Sequence, residues 1–111
     1  IHDFAKLPFI WDNAEYGVAL RRMKAGLPRE CLLPLFYEDM RSDPRGVLAG
    51  IEDFLEIPHH TYDEGLLGQK VNPSATIAMP AQFAEMFAED FARIIDEIRA
   101  EGLEPPKAWL A

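Results

Sequence analysis

Cys31-Leu32-Leu33-Pro34-Leu35-Phe36-Tyr37, running into Glu38-Asp39-Met40-Arg41-Ser42-Asp43-Pro44, is the stretch on which the fold turns. The apolar run is short and is flanked by charge on both sides, Arg29-Glu30 before it and Glu38-Asp39 after it. Length and flanks together favour a buried strand over a helix, and predict a strand over residues 31–37. Pro34 works against that, because proline cannot donate to a ladder and belongs on edges or at bulges.

Downstream, Asp43-Pro44 is a helix start: a capping carboxylate followed by proline at the first helical position. Val47, Leu48, Ile51, Phe54 and Leu55 then share one face, which predicts a helix over 44–56 that stops ahead of Pro58. Residues 58–80 show no sustained period and are punctuated by Gly65, Gly68, Pro73 and Pro80. They read as a long loop with one short turn around Tyr62–Leu67, and a loop of that length is more often functional or disordered than idle. Phe83, Met86, Phe87, Phe91, Ile94, Ile95 and Ile98 form a wide apolar stripe, predicting a final helix over 81–101 that Gly102 ends.

Upstream, Asp12 and Glu15 have the spacing of a reciprocal cap, and predict a helix over 13–25. Its stripe is Tyr16, Ala19, Leu20 and Met23, with Gly26 placed to end it in the left-handed conformation. The order is helix, strand, helix, loop, helix, with no internal repeat. A chain of 111 residues suits one domain spanning 1–111.

The formal charge of −8 sets long-range repulsion against nucleic-acid phosphate and anionic membranes, and argues against partners of either kind. Arg21, Arg22 and Lys24 are the one dense basic cluster. A single cysteine, Cys31, rules out an intrachain disulfide and a cysteine metal cage. Between apolar neighbours it reads as a buried thiol in a reducing, cytoplasmic setting. No apolar run approaches membrane-spanning length, and no signal-peptide pattern opens the chain.

The stretch from Leu32 to Pro44, joined to Ile51-Glu52-Asp53-Phe54-Leu55, resembles the family of sulfotransferases that use 3′-phosphoadenosine-5′-phosphosulfate. Members carry an apolar strand running into Tyr-Glu-Asp-Leu/Met, an acidic-Pro turn, and a helix ending in Phe-Leu. Tyr16 matches the family's tyrosine at the opening of the preceding helix, and Asn72-Pro73-Ser74 with the long last helix is similar to the end of bacterial members. The likeness runs from about residue 14 to the C-terminus. Glu56 departs from it, standing where many members have Gly. The family's phosphate-gripping strand–loop–helix, with its Lys, and the Arg and Ser that hold the 3′-phosphate have no counterpart here.

The resemblance implies an α/β fold: the C-terminal part of a P-loop-like sulfotransferase domain, mostly helical with one short strand. It implies a whole enzyme that moves a sulfuryl group from that nucleotide to a hydroxyl or amine on a small molecule, glycan or peptide. The N-terminal part of the same domain would be this segment's partner, and no metal takes part. By resemblance Tyr16 borders the donor's adenine, a stacking contact, whereas spacing alone makes it the first core residue of its helix. Lys70, Asn72 and Ser74 lie in the loop that in the family folds over the nucleotide; ordinary turn chemistry around Asn72-Pro73 is the other reading. Tyr37, Glu38 and Asp39 read as structural, and no catalytic residue is assigned. His59, His60, Asp63 and Glu64 read as solvated loop residues rather than metal ligands, since adjacent histidines diverge. The rival to an enzyme segment is a non-catalytic, acidic helical module that binds a partner through its apolar faces.

Overall fold

The computed structural model describes residues 2–70, 78 and 80–110. Among them eight α-helices follow one another: α1 (His2–Ala5), α2 (Pro8–Trp11), α3 (Tyr16–Gly26), α4 (Tyr37–Ser42), α5 (Pro44–Phe54), α6 (Glu64–Leu67), α7 (Ala81–Met86) and α8 (Ala88–Ala100). Three short 3-10 turns, Asp12–Ala14, Arg29–Cys31 and Lys107–Trp109, complete the set. The chain divides into two compact units, one of Ile1–Pro28 with Ile77–Pro105, the other of Arg29–Thr76 with Pro106–Ala111. No helix among the described residues is long and apolar enough to cross a membrane.

In the first unit α3 packs on α8. The stripe of the last helical stretch supplies the core: Phe87, Ile94 and Ile98 are buried, and Leu20 of α3 joins them. Phe87 has no exposed surface at all. Its ring lies 5.3 Å from Trp11, 4.8 Å from Phe83 and 6.0 Å from Phe91, centroid to centroid. Removing a ring so enclosed costs about 3–5 kcal/mol. The helical stretch is interrupted at this residue: Phe87, at φ −114° and ψ 13°, separates α7 from α8. Gly17 permits the close approach of α3, since a Cβ there would sit 2.5 Å from the Glu97 Cβ.

Asp12 and Glu15 do not form the expected reciprocal cap. Asp12 opens a 3-10 turn, and Glu15 precedes α3 without a side-chain cap bond. Glu15 instead accepts hydrogen bonds from Trp11 Nε1 at 2.5 Å and from Arg93 on α8. Gly26 lies inside α3, which ends on Leu27 in an extended conformation.

In the second unit Asp43 acts as its sequence suggests: Oδ1 accepts from the Gly46 N–H at 3.1 Å, with Pro44 in the first turn. Such a cap contributes about 1 kcal/mol. α5 ends through Glu56, at φ +56°, with the Ile57 N–H reaching back to the Glu52 carbonyl at 3.0 Å. This is a left-handed helix stop, a conformation that glycine favours and that a side chain strains.

The α/β expectation is overturned here: there is no strand among the described residues. Tyr37 belongs to α4, and Cys31 closes a 3-10 turn. Residues 32–36 between them are neither helix nor strand, and Phe36 is extended at φ −102°, ψ 135°. A strand exists only where a neighbouring backbone completes its ladder. Here the Leu32 N–H donates to Arg29 O at 3.4 Å, Pro34 has no N–H, and Phe36 O accepts from Asp39 N at 3.2 Å. The Leu32 N–H and the Phe36 carbonyl are thus spent locally, and the donor at 34 is missing. Nor is the run buried, with Leu35 46% exposed. Cys31, expected inside, is an exposed free thiol. The one described side chain of this unit that counts as buried is polar, that of Glu52.

Candidate functional site

The nucleotide-binding residues expected from sequence are distributed as follows. Tyr16 is the first residue of α3 and is 53% exposed, a surface position rather than the core position that its spacing suggested. Lys70 is exposed, beyond the end of α6 in the second unit. Asn72 and Ser74 lie outside the described residues. Tyr16 and Lys70 therefore belong to different units.

Of the Tyr-Glu-Asp motif, Glu38 makes a side-chain contact and Asp39 a backbone one, while Tyr37 is 64% exposed. Glu38 Oε1 accepts from the Trp109 indole N–H at 2.8 Å, and the Phe36 ring meets Trp109 edge-on at 5.5 Å. These contacts fasten the C-terminal 3-10 turn onto the start of α4. Asp39 contributes its carbonyl, which accepts from the Asp43 N–H at 2.8 Å. Of the basic cluster, Lys24 is tied to the C-terminal end of α8, bonded to the Glu101 carbonyl and 3.5 Å from its carboxylate.

His59, His60, Asp63 and Glu64 each take a different role. His59 Nε2 lies 2.6 Å from Asp53 Oδ1, and the hydrogen bond to that carboxylate raises the imidazole above its ordinary value of 6.5. Asp63 caps α6 by accepting from the Leu66 N–H at 3.0 Å, and Glu64 pairs with Arg45. Among the described residues no group of three potential ligands could hold a metal ion.

Two of the four, His59 and His60, line a cleft of about 220 Å³ between α5 and the segment that follows it, with Arg45, Glu52 and Tyr62 also among its walls. Glu52 is only 4% exposed, and its Oε2 accepts from the His60 backbone N–H at 2.6 Å. The His60 and Tyr62 rings meet edge-on at 5.0 Å. Glu52 stands in the sequence within Ile51-Glu52-Asp53-Phe54-Leu55, where no role of its own was expected. The available signal was its spacing, four residues after Leu48 and three before Leu55, which sets it on the apolar side of α5.

Compared with protein-family models, with curated proteins and with solved structures, the chain matches none.

Proposed function

We propose that this chain is a non-catalytic segment of a sulfotransferase that uses 3′-phosphoadenosine-5′-phosphosulfate, supporting the donor site through Tyr16 and not turning over alone. The observation that carries the reading is the backbone at Glu56. Many members of the family have Gly directly after the Phe-Leu that closes this helix. Here Phe54-Leu55 is followed by Glu56 at φ +56°, the one non-glycine residue with positive φ among the described residues. A conformation that favours glycine thus falls at the family's glycine position. The side chain at 56 departs from the family pattern, so the support at this residue is that of the backbone alone.

In this reading the reaction is in-line transfer of a sulfuryl group to a hydroxyl or amine of a small molecule, glycan or peptide. Catalysis rests on positioning and on cationic stabilisation of the equatorial oxygens. Those cations and the acceptor's base come from outside this chain, from the phosphate-gripping part of the domain. Tyr16 offers an exposed ring at a helix start for the adenine face. Lys70, Asn72 and Ser74 supply charge and hydrogen bonds to the nucleotide. One cysteine with an exposed thiol suits a reducing cytoplasm.

The test is calorimetric titration of 3′-phosphoadenosine-5′-phosphate into this chain joined to a sulfotransferase phosphate-binding strand–loop–helix. Binding that weakens about tenfold in Tyr16→Ala, and is kept in Tyr16→Phe, is the expected result. Unchanged affinity in Tyr16→Ala, or sulfuryl transfer by the 111 residues alone, overturns it.

A second reading, an acidic helical module that binds a protein partner, is favoured by one specific feature. Leu33, Leu35, Tyr37 and Met40 are all exposed along one continuous stretch of the second unit. Failure of the nucleotide to bind at all selects that reading.

A further inference from the structure

A carboxylate taken out of water is normally matched by a cation, because burial without one forfeits its hydration uncompensated. Glu52 departs from this. It is 4% exposed, yet no ion pair reaches it among the described residues, and its one hydrogen bond there comes from the His60 backbone N–H. It nevertheless lines a cleft open to solvent.

The other charged groups around that cleft are already matched. Arg45 is paired with Glu64, and His59 with Asp53 at 2.6 Å, both pairs lying at the exposed edge. His59 balances Asp53 only when protonated, and Arg45 is drawn to Glu64, so Glu52 is left lining the cleft with no ion pair of its own among the described residues. Beside it stand the rings of His60 and Tyr62. A buried carboxylate next to aromatic rings is the complement of a flat cation. Guanidinium fits better than ammonium: it is planar and weakly hydrated, stacks on rings, and donates two parallel N–H bonds to one carboxylate.

We infer that the cleft between α5 and residues 59–62 binds a guanidinium group, with Glu52 as its carboxylate and Tyr62 and His60 as its aromatic wall. This site is separate from the nucleotide reading, and does not depend on it.

The experiment is an NMR titration of the isotope-labelled chain with three probes. Blocked arginine (N-acetyl-L-arginine methylamide) stands for an arginine of a peptide, agmatine for a small guanidine, and blocked citrulline for the same shape without charge. The expected result is saturable shifts at His60 and Tyr62 with one of the two cations, and about a tenfold or greater loss of affinity with citrulline. The stronger of the two cations tells whether the source is a peptide or a free small molecule. Glu52→Gln should weaken binding by a similar factor. Because that variant also disturbs the bond to His60, Tyr62→Ala at the wall provides a second check, with weakening of about threefold or more. Equal binding of citrulline and arginine, no saturable shift with either cation, or full affinity in Tyr62→Ala overturns the inference.

Discussion

Arg93 grips Glu15 with both terminal nitrogens, Nη2 to Oε1 at 2.7 Å and Nη1 to Oε2 at 3.0 Å, across 78 positions of sequence. Arg93 also bonds Glu97 one turn along α8, at 3.0 Å, and the Trp11 indole shares Oε1 of Glu15. The pair therefore fastens the entry of α3 to the middle of α8 beside the Phe87 ring cluster. The hydrogen bond from Arg93 holds the Glu15 carboxyl below its ordinary value of 4.5.

Glu15→Gln should lower the unfolding free energy by about 1 kcal/mol, the scale of a partly exposed two-pronged pair. The pH dependence has a definite sign. A carboxyl whose pKa is depressed by folding stabilises above 4.5, and that contribution disappears as pH falls through the lower folded value. Urea unfolding of wild type and Glu15→Gln should therefore differ at pH 7 and converge in acid, once the pH has fallen below the lowered folded value. A gap that persists in acid would assign the effect to packing.

Gly17→Ala should destabilise the first unit even though alanine is the better helix former. The added Cβ would lie 2.5 Å from the Glu97 Cβ and 2.6 Å from its Oε2, both inside contact distance. Overpacking of this kind costs about 1–3 kcal/mol, against roughly 1 kcal/mol gained in helix propensity. Gly26→Ala is the control, because nothing stands within 4 Å of a Cβ there. Thermal unfolding of the two variants should move in opposite directions.

Glu56→Gly should raise stability. An L side chain at φ +56° is strained by about 1–2 kcal/mol, and glycine's larger unfolded-state entropy returns part of that. A net gain of about 0.5–1 kcal/mol is expected from denaturant midpoints. A loss would mean that the Glu56 side chain does something its backbone does not reveal.

His59 should titrate above 6.5 by NMR, and return towards that value in Asp53→Asn, because the Asp53 carboxylate is what raises it. For a histidine whose folded pKa is raised, the added stability is complete below 6.5 and is lost as pH climbs through the folded value. The wild-type advantage over Asp53→Asn should accordingly shrink between mildly acidic and mildly alkaline solution.

Local signals in the sequence were enough for the parts that local physics governs. Asp43-Pro44 starts α5 because cap and proline act within one turn. The stripe carrying Phe87, Ile94 and Ile98 becomes core because an apolar face repeated at helical spacing must be covered somewhere. The same reasoning failed at 31–37. A run of apolar residues has the composition of a strand, but the ladder depends on a second backbone that the run does not specify. It failed again at Glu15, where a capping partner three residues away lost to a guanidinium 78 residues away. The cleft was hidden for a related reason, since the burial of Glu52 depends on how residues 59–62 fold back over α5.

By itself, then, the sequence determined where α5 begins, that the stripe carrying Phe87, Ile94 and Ile98 turns inward, and the net charge of −8. Those follow from neighbours within a few residues or from composition. Only the tertiary structure decided that 32–36 stays without a ladder and which carboxylates find cations. Pairing and burial join groups far apart in the chain, and their energies depend on distances that no local pattern encodes.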